Sequence, residues 1–140
     1  MRHIMVINAN GGSGKTTIAT NLASYFASQN KNVTIIDYDP QGSSLDWLAV
    51  RSSAKQPIQG IAGFKRNAER PPRKTDIVIL DVPAALHGAE LTKLVKKAQT
   101  IIVPVLPSPI DMRAATHFLT ELKKCAPVSQ KKAKLALVAN

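Results

Sequence analysis

The sequence feature that most constrains the fold is a glycine-rich loop between an apolar run and a helical pattern. The run Ile4–Ile7 precedes the loop, and a Lys-Thr-Thr sequence follows it. This order is typical of a phosphate-binding loop, in which backbone N–H groups and a helix N-terminus surround an anion. We expect Lys15 to reach the β- and γ-phosphates and the Thr16 hydroxyl to ligate Mg²⁺. The residues expected to bind a nucleoside triphosphate are Gly11, Gly12, Ser13, Gly14, Lys15, Thr16 and Thr17.

Short apolar runs without alternation recur along the chain and predict buried parallel strands. The predicted strands are Ile4–Ile7, Val33–Ile36, Ile77–Leu80, Ile101–Val103 and Leu135–Val138. One polar residue follows each of four of these strands: Asn8, Asp37, Asp81 and Asn140. Because ligands of parallel sheets bind beyond the carboxyl ends of the strands, we expect these four side chains to lie near the nucleotide.

Helical patterns separate the strands. They predict a helix from Thr16 to about Asn30, a short helix from Ser43 to Val50 that Ser43 or Ser44 caps, and two further helices. Apolar stripes mark the latter two: Leu91, Leu94, Val95 and Ala98, then Met112, Ala115, Leu119 and Leu122. The fold class is therefore α/β, a mostly parallel sheet with helices on both faces, as in P-loop nucleoside triphosphatases.

Two regions of the chain stand apart from this pattern. Residues 51–75 are polar and basic, and we expect Pro71-Pro72 to prevent a regular element there. No helix follows the last strand to cover its edge, so residues 1–140 are expected to form one domain that is incomplete at its C-terminus, as a truncated product or an expressed fragment, or else to rely on a partner for that edge.

The chain is strongly basic. The chain has 19 Lys and Arg against 9 Asp and Glu, a formal net charge of +10. Such an excess favours association with polyanions through counterion release, so non-specific DNA binding is a hypothesis beside simple surface solubility. The basic groups are Lys65, Arg66, Arg70, Arg73 and Lys74; Lys93, Lys96 and Lys97; and Lys123, Lys124, Lys131, Lys132 and Lys134. With one cysteine, no signal peptide and no membrane-spanning apolar run, we expect a cytoplasmic protein.

Three segments together resemble the ParA/MinD group of deviant Walker-A ATPases, and the ParA branch most closely. They are residues 8–17 (NANGGSGKTT), residues 37–43 (DYDPQGS) and residues 104–111 (PVLPSPID). The strand that ends at Asp81, with Val82-Pro83 after it, resembles the family's Walker B segment. The resemblance implies ATP and Mg²⁺ as ligands, and a role in DNA segregation or cargo positioning.

The resemblance also implies roles for single residues. Thr16 would bind Mg²⁺ directly, with Asp37 and Asp81 holding its water ligands. Lys15 and Asp39 would be catalytic, Asp39 by positioning the attacking water. Asn140 would contact the adenine, whereas Asp111 is expected only to cap the helix after it.

One position departs from the family pattern. The family has a lysine immediately before the double glycine, which in an ATP-bound dimer reaches the partner's phosphates, and this chain has Asn10 there. Asn10 can donate a hydrogen bond to a phosphate but carries no charge. Since cations near the transferred phosphate are large contributors to catalysis, hydrolysis is expected to be slow or to depend on a stimulating partner.

Two functions from different classes follow. The first is a ParA-like ATPase that forms a homodimer on ATP binding, binds DNA without sequence preference at the nucleoid and responds to a ParB-like protein or cargo adaptor. The second is a nucleotide-binding regulatory module with little or no hydrolysis, which Asn10 favours. A MinD-like membrane role is not expected, because the basic tail leads into a strand and not into an amphipathic helix.

Overall fold

The computed structural model describes residues 1–12, 14–84, 86–125, 128, 130 and 132–140. Ser13 of the predicted phosphate loop and Lys131 of the third basic group lie outside the described residues. The strands of the described chain are β1 (Arg2–Ile7), β2 (Val33–Asp37), β3 (Ile58–Ala62), β4 (Ile77–Val82), β5 (Thr100–Val105) and β6 (Lys134–Ala139). Its helices are α1 (Lys15–Ser28), α2 (Ser43–Ala49), α3 (Gly88–Val95) and α4 (Pro109–Lys123).

The strands form one parallel sheet in the order β3-β2-β4-β1-β5-β6. This confirms the predicted α/β class with a parallel sheet. After β1 the chain passes through α1 towards β2, whereas after β4 it passes through α3 towards β5 on the other side. The carboxyl ends of β1 and β4 therefore flank a topological switch point, where doubly wound sheets bind their ligands.

Alternate residues of the central strands enter two separate apolar clusters. Met5 of β1 and Leu80 of β4 pack with α3 and α4, whereas Val6 and Ile79 pack with α1 on the opposite face. Successive side chains of a strand point to opposite faces, so an unalternating apolar strand requires helices on both sides. That covering was predicted from the sequence and is confirmed.

The segment 51–75 contains a strand, so the prediction that it lacks a regular element was wrong. β3 pairs in parallel with β2 at the sheet edge, from Val33↔Ile58 to Asp37↔Ala62. Only Ile61 of this strand is buried. An exposed edge strand carries too few apolar residues to show a pattern, and Pro71-Pro72 come too late in the chain to interrupt it.

The helix assignments need smaller corrections. α3 ends at Val95, and Ala98 is buried beyond it. In α4 the buried stripe is Ala115, Phe118 and Leu122, and Met112 is 57% exposed. Positions 115, 118 and 122 follow the spacing of one helix face, so Phe118 lies on the core side and Leu119 is only half-buried.

The predicted helix caps were also wrong. Gly42, and not Ser43 or Ser44, is the N-cap of α2. Ser108 caps α4 by accepting a hydrogen bond from the backbone N–H of Asp111, which lies in the first turn. α2 begins at Ser43 as predicted, but its cap is the residue before it, whereas α4 begins at Pro109, two residues before Asp111.

Replacing Ile79 with Ala should lower the free energy of unfolding by about 2–5 kcal/mol, because it removes a fully buried side chain from the central strand. Urea unfolding measures the change. The control Val50→Ala, at a position 83% exposed, should stay within about 0.5 kcal/mol of the wild type. Equal losses in the two variants would contradict the assigned core.

Candidate functional site

The glycine loop between β1 and α1 surrounds an open cavity of about 630 Å³. Gly12 (φ 80°) and Gly14 (φ 86°) adopt left-handed backbone conformations that residues with a Cβ rarely adopt. Gly14 is also the N-cap of α1, so the first turn of that helix opens on the cavity. The cavity is lined by Asn8, Gly11, Gly12, Gly14, Lys15, Thr16, Thr17, Asp39, Pro83 and Ala84.

The carboxylate of Asp81 is the centre of the site. Although the prediction placed Asp81 after the strand, it lies within β4 and is 1% exposed. The Lys15 ammonium forms an ion pair with its Oδ1, and the hydroxyls of Thr16 (3.1 Å) and Ser44 donate to its Oδ2. A buried carboxylate is tolerated only with such partners, so these contacts fix the start of α1 against β4.

Asp37 lies beside Asp81, because the two residues are register partners on adjacent strands. Its Oδ1 accepts from the Asp39 N–H at 2.9 Å and its Oδ2 from the Ser44 N–H at 3.1 Å. The pKa of the Asp37 carboxyl is raised, mainly by burial and also by the neighbouring Asp81 carboxylate. The two backbone donors oppose this shift only in part. Two buried carboxylates side by side are a place where an added cation is stabilising.

The oxygen atoms present fit a magnesium ion. Mg²⁺ prefers hard oxygen ligands and keeps several waters, as a site with one hydroxyl and carboxylates beside phosphates allows. Thr16 and Asp81 are already in contact, and Asp37 is next to Asp81. The three residues predicted as metal-binding therefore come together. The described residues contain no cluster of His, Cys, Asp or Glu that would form a metal site of its own.

Asp39 lines the same cavity, in the loop that follows β2. Its Oδ1 accepts from the Gln41 N–H at 2.9 Å, a turn hydrogen bond that orients the carboxylate. Asp39 is thus on the open side of the site, whereas Asp37 and Asp81 are buried beneath it. That position suits a group that handles a water molecule.

Asn10 and Asn140 lie at the margins of the loop. The Asn10 side-chain amide donates to Asp111 Oδ1 at 3.1 Å, and Ser108 Oγ donates to the other carboxylate oxygen at 2.7 Å. These hydrogen bonds lower the pKa of the Asp111 carboxyl, the Ser108 bond most. The Asn140 side-chain amide fills the space beside Gly14 that a Cβ would need. The contact of Asn140 with a nucleotide base stays a prediction.

Ser44 is the site residue that sequence reasoning missed. It is fully buried and contacts both carboxylates, through its hydroxyl and its backbone N–H. The available signal was its place in the first turn of a helix that follows the end of a strand. The pattern suggested a helix cap there, because Ser is common at caps, and the carboxylate partner is distant in the chain.

A family model described as the CobQ/CobB/MinD/ParA nucleotide binding domain matches residues 4–129. The chain therefore belongs to this family, and the predicted resemblance to the ParA/MinD group is confirmed. Within the described residues, no helix has the length and apolar character needed to cross a membrane.

Curated relatives are similar over much of the chain. The maintenance of carboxysome distribution protein A of Halothiobacillus neapolitanus is 34% identical over 142 residues, covering 98% of this chain and 65% of the relative. The chromosome-partitioning ATPase Soj of Thermus thermophilus is 48% identical over 101 residues, covering 64% of this chain and 41% of the relative. The chain thus spans less than two thirds of the length of these relatives.

Solved structures share the fold. Cobyrinic acid a,c-diamide synthase from Mycobacterium smegmatis, solved with an ATP analog and magnesium, has a TM-score of 0.69 and 22% identity. The match covers 99% of this chain and 73% of that one. At this identity the likeness establishes the architecture and no more.

Replacing Ser44 with Ala should lower the free energy of unfolding by about 1.5–3 kcal/mol, because it removes a buried hydrogen bond to the charged Asp81 carboxylate. Urea unfolding measures this change in the free energy of unfolding. The neighbouring exposed hydroxyl provides the control, and Ser43→Ala should change stability by less than about 0.5 kcal/mol. If the two variants are equally stable, Ser44 does not support Asp81.

Proposed function

We propose that this member of the CobQ/CobB/MinD/ParA family is a ParA-like ATPase that positions or segregates a cargo. One observation carries the proposal: the buried Asp81 carboxylate joins Lys15 and Thr16 directly beside the glycine loop. Phosphate-binding backbone, a lysine and a metal-compatible oxygen set then share one cavity. The relatives named for carboxysome distribution and chromosome partitioning support the positioning role.

Nucleotide binding would use the groups already in place. The loop N–H groups and the α1 N-terminus would surround the phosphates, and the Lys15 ammonium would exchange its contact with Asp81 for the β- and γ-phosphate oxygens. Thr16, Asp81 and Asp37 would hold Mg²⁺, which when bound neutralises phosphate charge. Asp39 would then orient or deprotonate the attacking water from the open side of the cavity.

Asn10 leads us to expect slow ATP hydrolysis. Its neutral amide is engaged with Asp111, so this position supplies no cation to the phosphates. Cations supplied to the transferred phosphate are worth on the order of 10³–10⁵ in rate, and unstimulated hydrolysis should be correspondingly slow. We propose further that the protein forms a homodimer on ATP binding. A ParB-like or cargo-adaptor partner would stimulate hydrolysis.

Asn10 also favours a second candidate, a nucleotide-binding regulatory module with little or no turnover. The two functions require the same phosphate loop and differ only in hydrolysis. Binding of ATP without turnover, with or without DNA, would favour the module.

The wild-type protein should bind Mg²⁺-ATP in a calorimetric titration, and Lys15→Ala should abolish the binding heat because the ammonium that pairs with the phosphates is lost. Asp39→Ala should keep ATP binding but lower turnover by at least about 100-fold, since it removes the group that handles the water. Phosphate release measures turnover.

An exposed lysine far from the loop supplies the control for this pair. Lys31→Ala should leave both ATP binding and turnover unchanged. Folded wild-type protein that gives no binding heat with Mg²⁺-ATP would refute nucleotide binding. Undiminished turnover in Asp39→Ala would refute the role of that carboxylate.

DNA binding is proposed for the basic group at the far end of the sheet. Helix α4 begins near the glycine loop, where Asp111 contacts Asn10, and ends at Lys123. Because α4 connects the parallel strands β5 and β6, its carboxyl end and the start of β6 at Lys134 belong to the same end of the sheet. Lys123, Lys124, Lys132 and Lys134 are all exposed there. A basic surface away from the nucleotide leaves the cavity open while DNA is bound.

Replacing both Lys123 and Lys124 with Gln should weaken DNA binding and reduce the slope of log K against log salt by about 2, because each phosphate contact contributes about 0.9. Fluorescence anisotropy with duplexes of unrelated sequence measures the slope. The exposed pair Lys31→Gln and Lys55→Gln should leave it unchanged. A slope that both pairs reduce equally would contradict a localised surface.

A further inference from the structure

A second concave site lies beside the candidate nucleotide site, between the chain that follows β3 and helix α3. This cleft has a volume of about 550 Å³ and includes Tyr38, residues 63–66 and 68–71, and the exposed side of α3 in its lining. It shares no lining residue with the phosphate-loop cavity, within the described residues. Neither the nucleotide chemistry nor the family assignment accounts for it.

Two basic groups that are distant in sequence converge on the cleft. Among the described residues, its lining contains five basic side chains: Lys65, Arg66 and Arg70 from the loop after β3, and Lys93 and Lys97 from α3 and the chain just after it. Only Glu69 and Glu90 oppose them there. Basic side chains from separate segments therefore raise the positive potential inside the cleft. A concave site with such a potential attracts an anionic partner more strongly than the same charges spread over an open surface.

The lining of the cleft also includes apolar side chains. Ile36 and Leu94 are buried at its base, and Phe64 is 38% exposed at its wall. An apolar pocket with a charged rim is the arrangement in which a partner's apolar side chain contributes affinity and its charges contribute orientation.

The chemistry of the walls favours a peptide over a nucleic acid. The Lys97 ammonium lies 5.9 Å from the centroid of the Tyr38 ring, so a cation already covers a face on which a base would stack. The carboxylates of Glu69 and Glu90 would repel a continuous phosphate backbone. A peptide can place its acidic side chains opposite the basic ones and avoid the carboxylates.

We propose that this cleft docks a segment of a partner protein in which acidic side chains flank an aromatic or large apolar residue. The aromatic residue enters the apolar base, and its acidic neighbours pair with Lys65, Arg66, Arg70, Lys93 and Lys97.

The cleft is connected to the candidate nucleotide site through Tyr38, which lies between Asp37 and Asp39. The Tyr38 N–H donates to the Asp81 carbonyl at 2.9 Å, and the Gly63 N–H donates to the Asp37 carbonyl at 2.8 Å. A bound segment that shifts Tyr38 therefore acts on the backbone that carries both aspartates. This regulatory part rests on the proposed ATPase function, whereas docking itself does not.

The test uses the full chain and a fluorescein-labelled heptapeptide with three glutamates on each side of a central phenylalanine. Wild-type protein should bind this probe in an anisotropy titration without nucleotide. The double variant Arg70→Glu/Lys93→Glu should bind it about tenfold or more weakly, because two attractive charges become repulsive. The matched control Arg73→Glu/Lys96→Glu changes the same segment and the same helix end outside the lining, and should stay within about twofold.

Phe64→Ala tests the apolar wall without changing charge. This variant should bind the probe more weakly than the wild type does. A second peptide with alanine at its centre binds more weakly to begin with, and its affinity should not change. Circular dichroism of each variant verifies that it is folded, and stimulation of ATP turnover by the probe tests the regulatory part separately. A failure of the ATP titration would therefore leave the docking result intact.

Three outcomes would overturn the docking proposal. The first is no binding of the probe up to about 1 mM, and the second is an equal loss in the cleft and control variants. The third is displacement of the probe by single-stranded oligothymidylate that binds more tightly with the same dependence on Arg70 and Lys93, which would assign the cleft to nucleic acid.

Discussion

The structure depends on one buried negative charge, the Asp81 carboxylate in the central strand β4. Its contacts come from the first residues of α1 and from α2, so three elements meet at one carboxyl group. An uncompensated charge at this depth would be strongly destabilising, and the partners are held in place by that cost. The same contacts place a lysine and a hydroxyl beside the glycine loop, so the stability of the site and its chemistry share one origin.

The sheet topology explains why this charge is near a cavity. The connections after β1 and β4 run to opposite sides of the sheet and leave a crevice between the carboxyl ends of the two strands. Gly12 and Gly14 line the cavity at this point and adopt left-handed backbone conformations that residues with a Cβ rarely adopt. The family model that matches residues 4–129 is described as a nucleotide binding domain.

The excess positive charge lies away from the glycine loop, on other surfaces of the protein. At the loop, Asn10 offers a neutral amide, which donates a hydrogen bond to Asp111. The excess cations instead gather around the Tyr38 cleft and at the end of α4. Chemistry at the phosphates, docking of an acidic segment and DNA binding would then use three different surfaces. The backbone that carries Asp37 and Asp39 connects the first two of them.

Local signals in the sequence were enough to predict the parallel sheet, the glycine loop and the aspartates near the carboxyl ends of β2 and β4, because strand patterns and the Gly-Lys-Thr spacing are properties of neighbouring residues. They did not reveal β3, whose only buried side chain is Ile61 and whose pairing partner β2 is distant in the chain. Nor could they reveal that Ser44 bonds to Asp81, or that the cations of residues 65–70 face those of α3. Such contacts join residues that only folding brings together, and tertiary packing alone decided them.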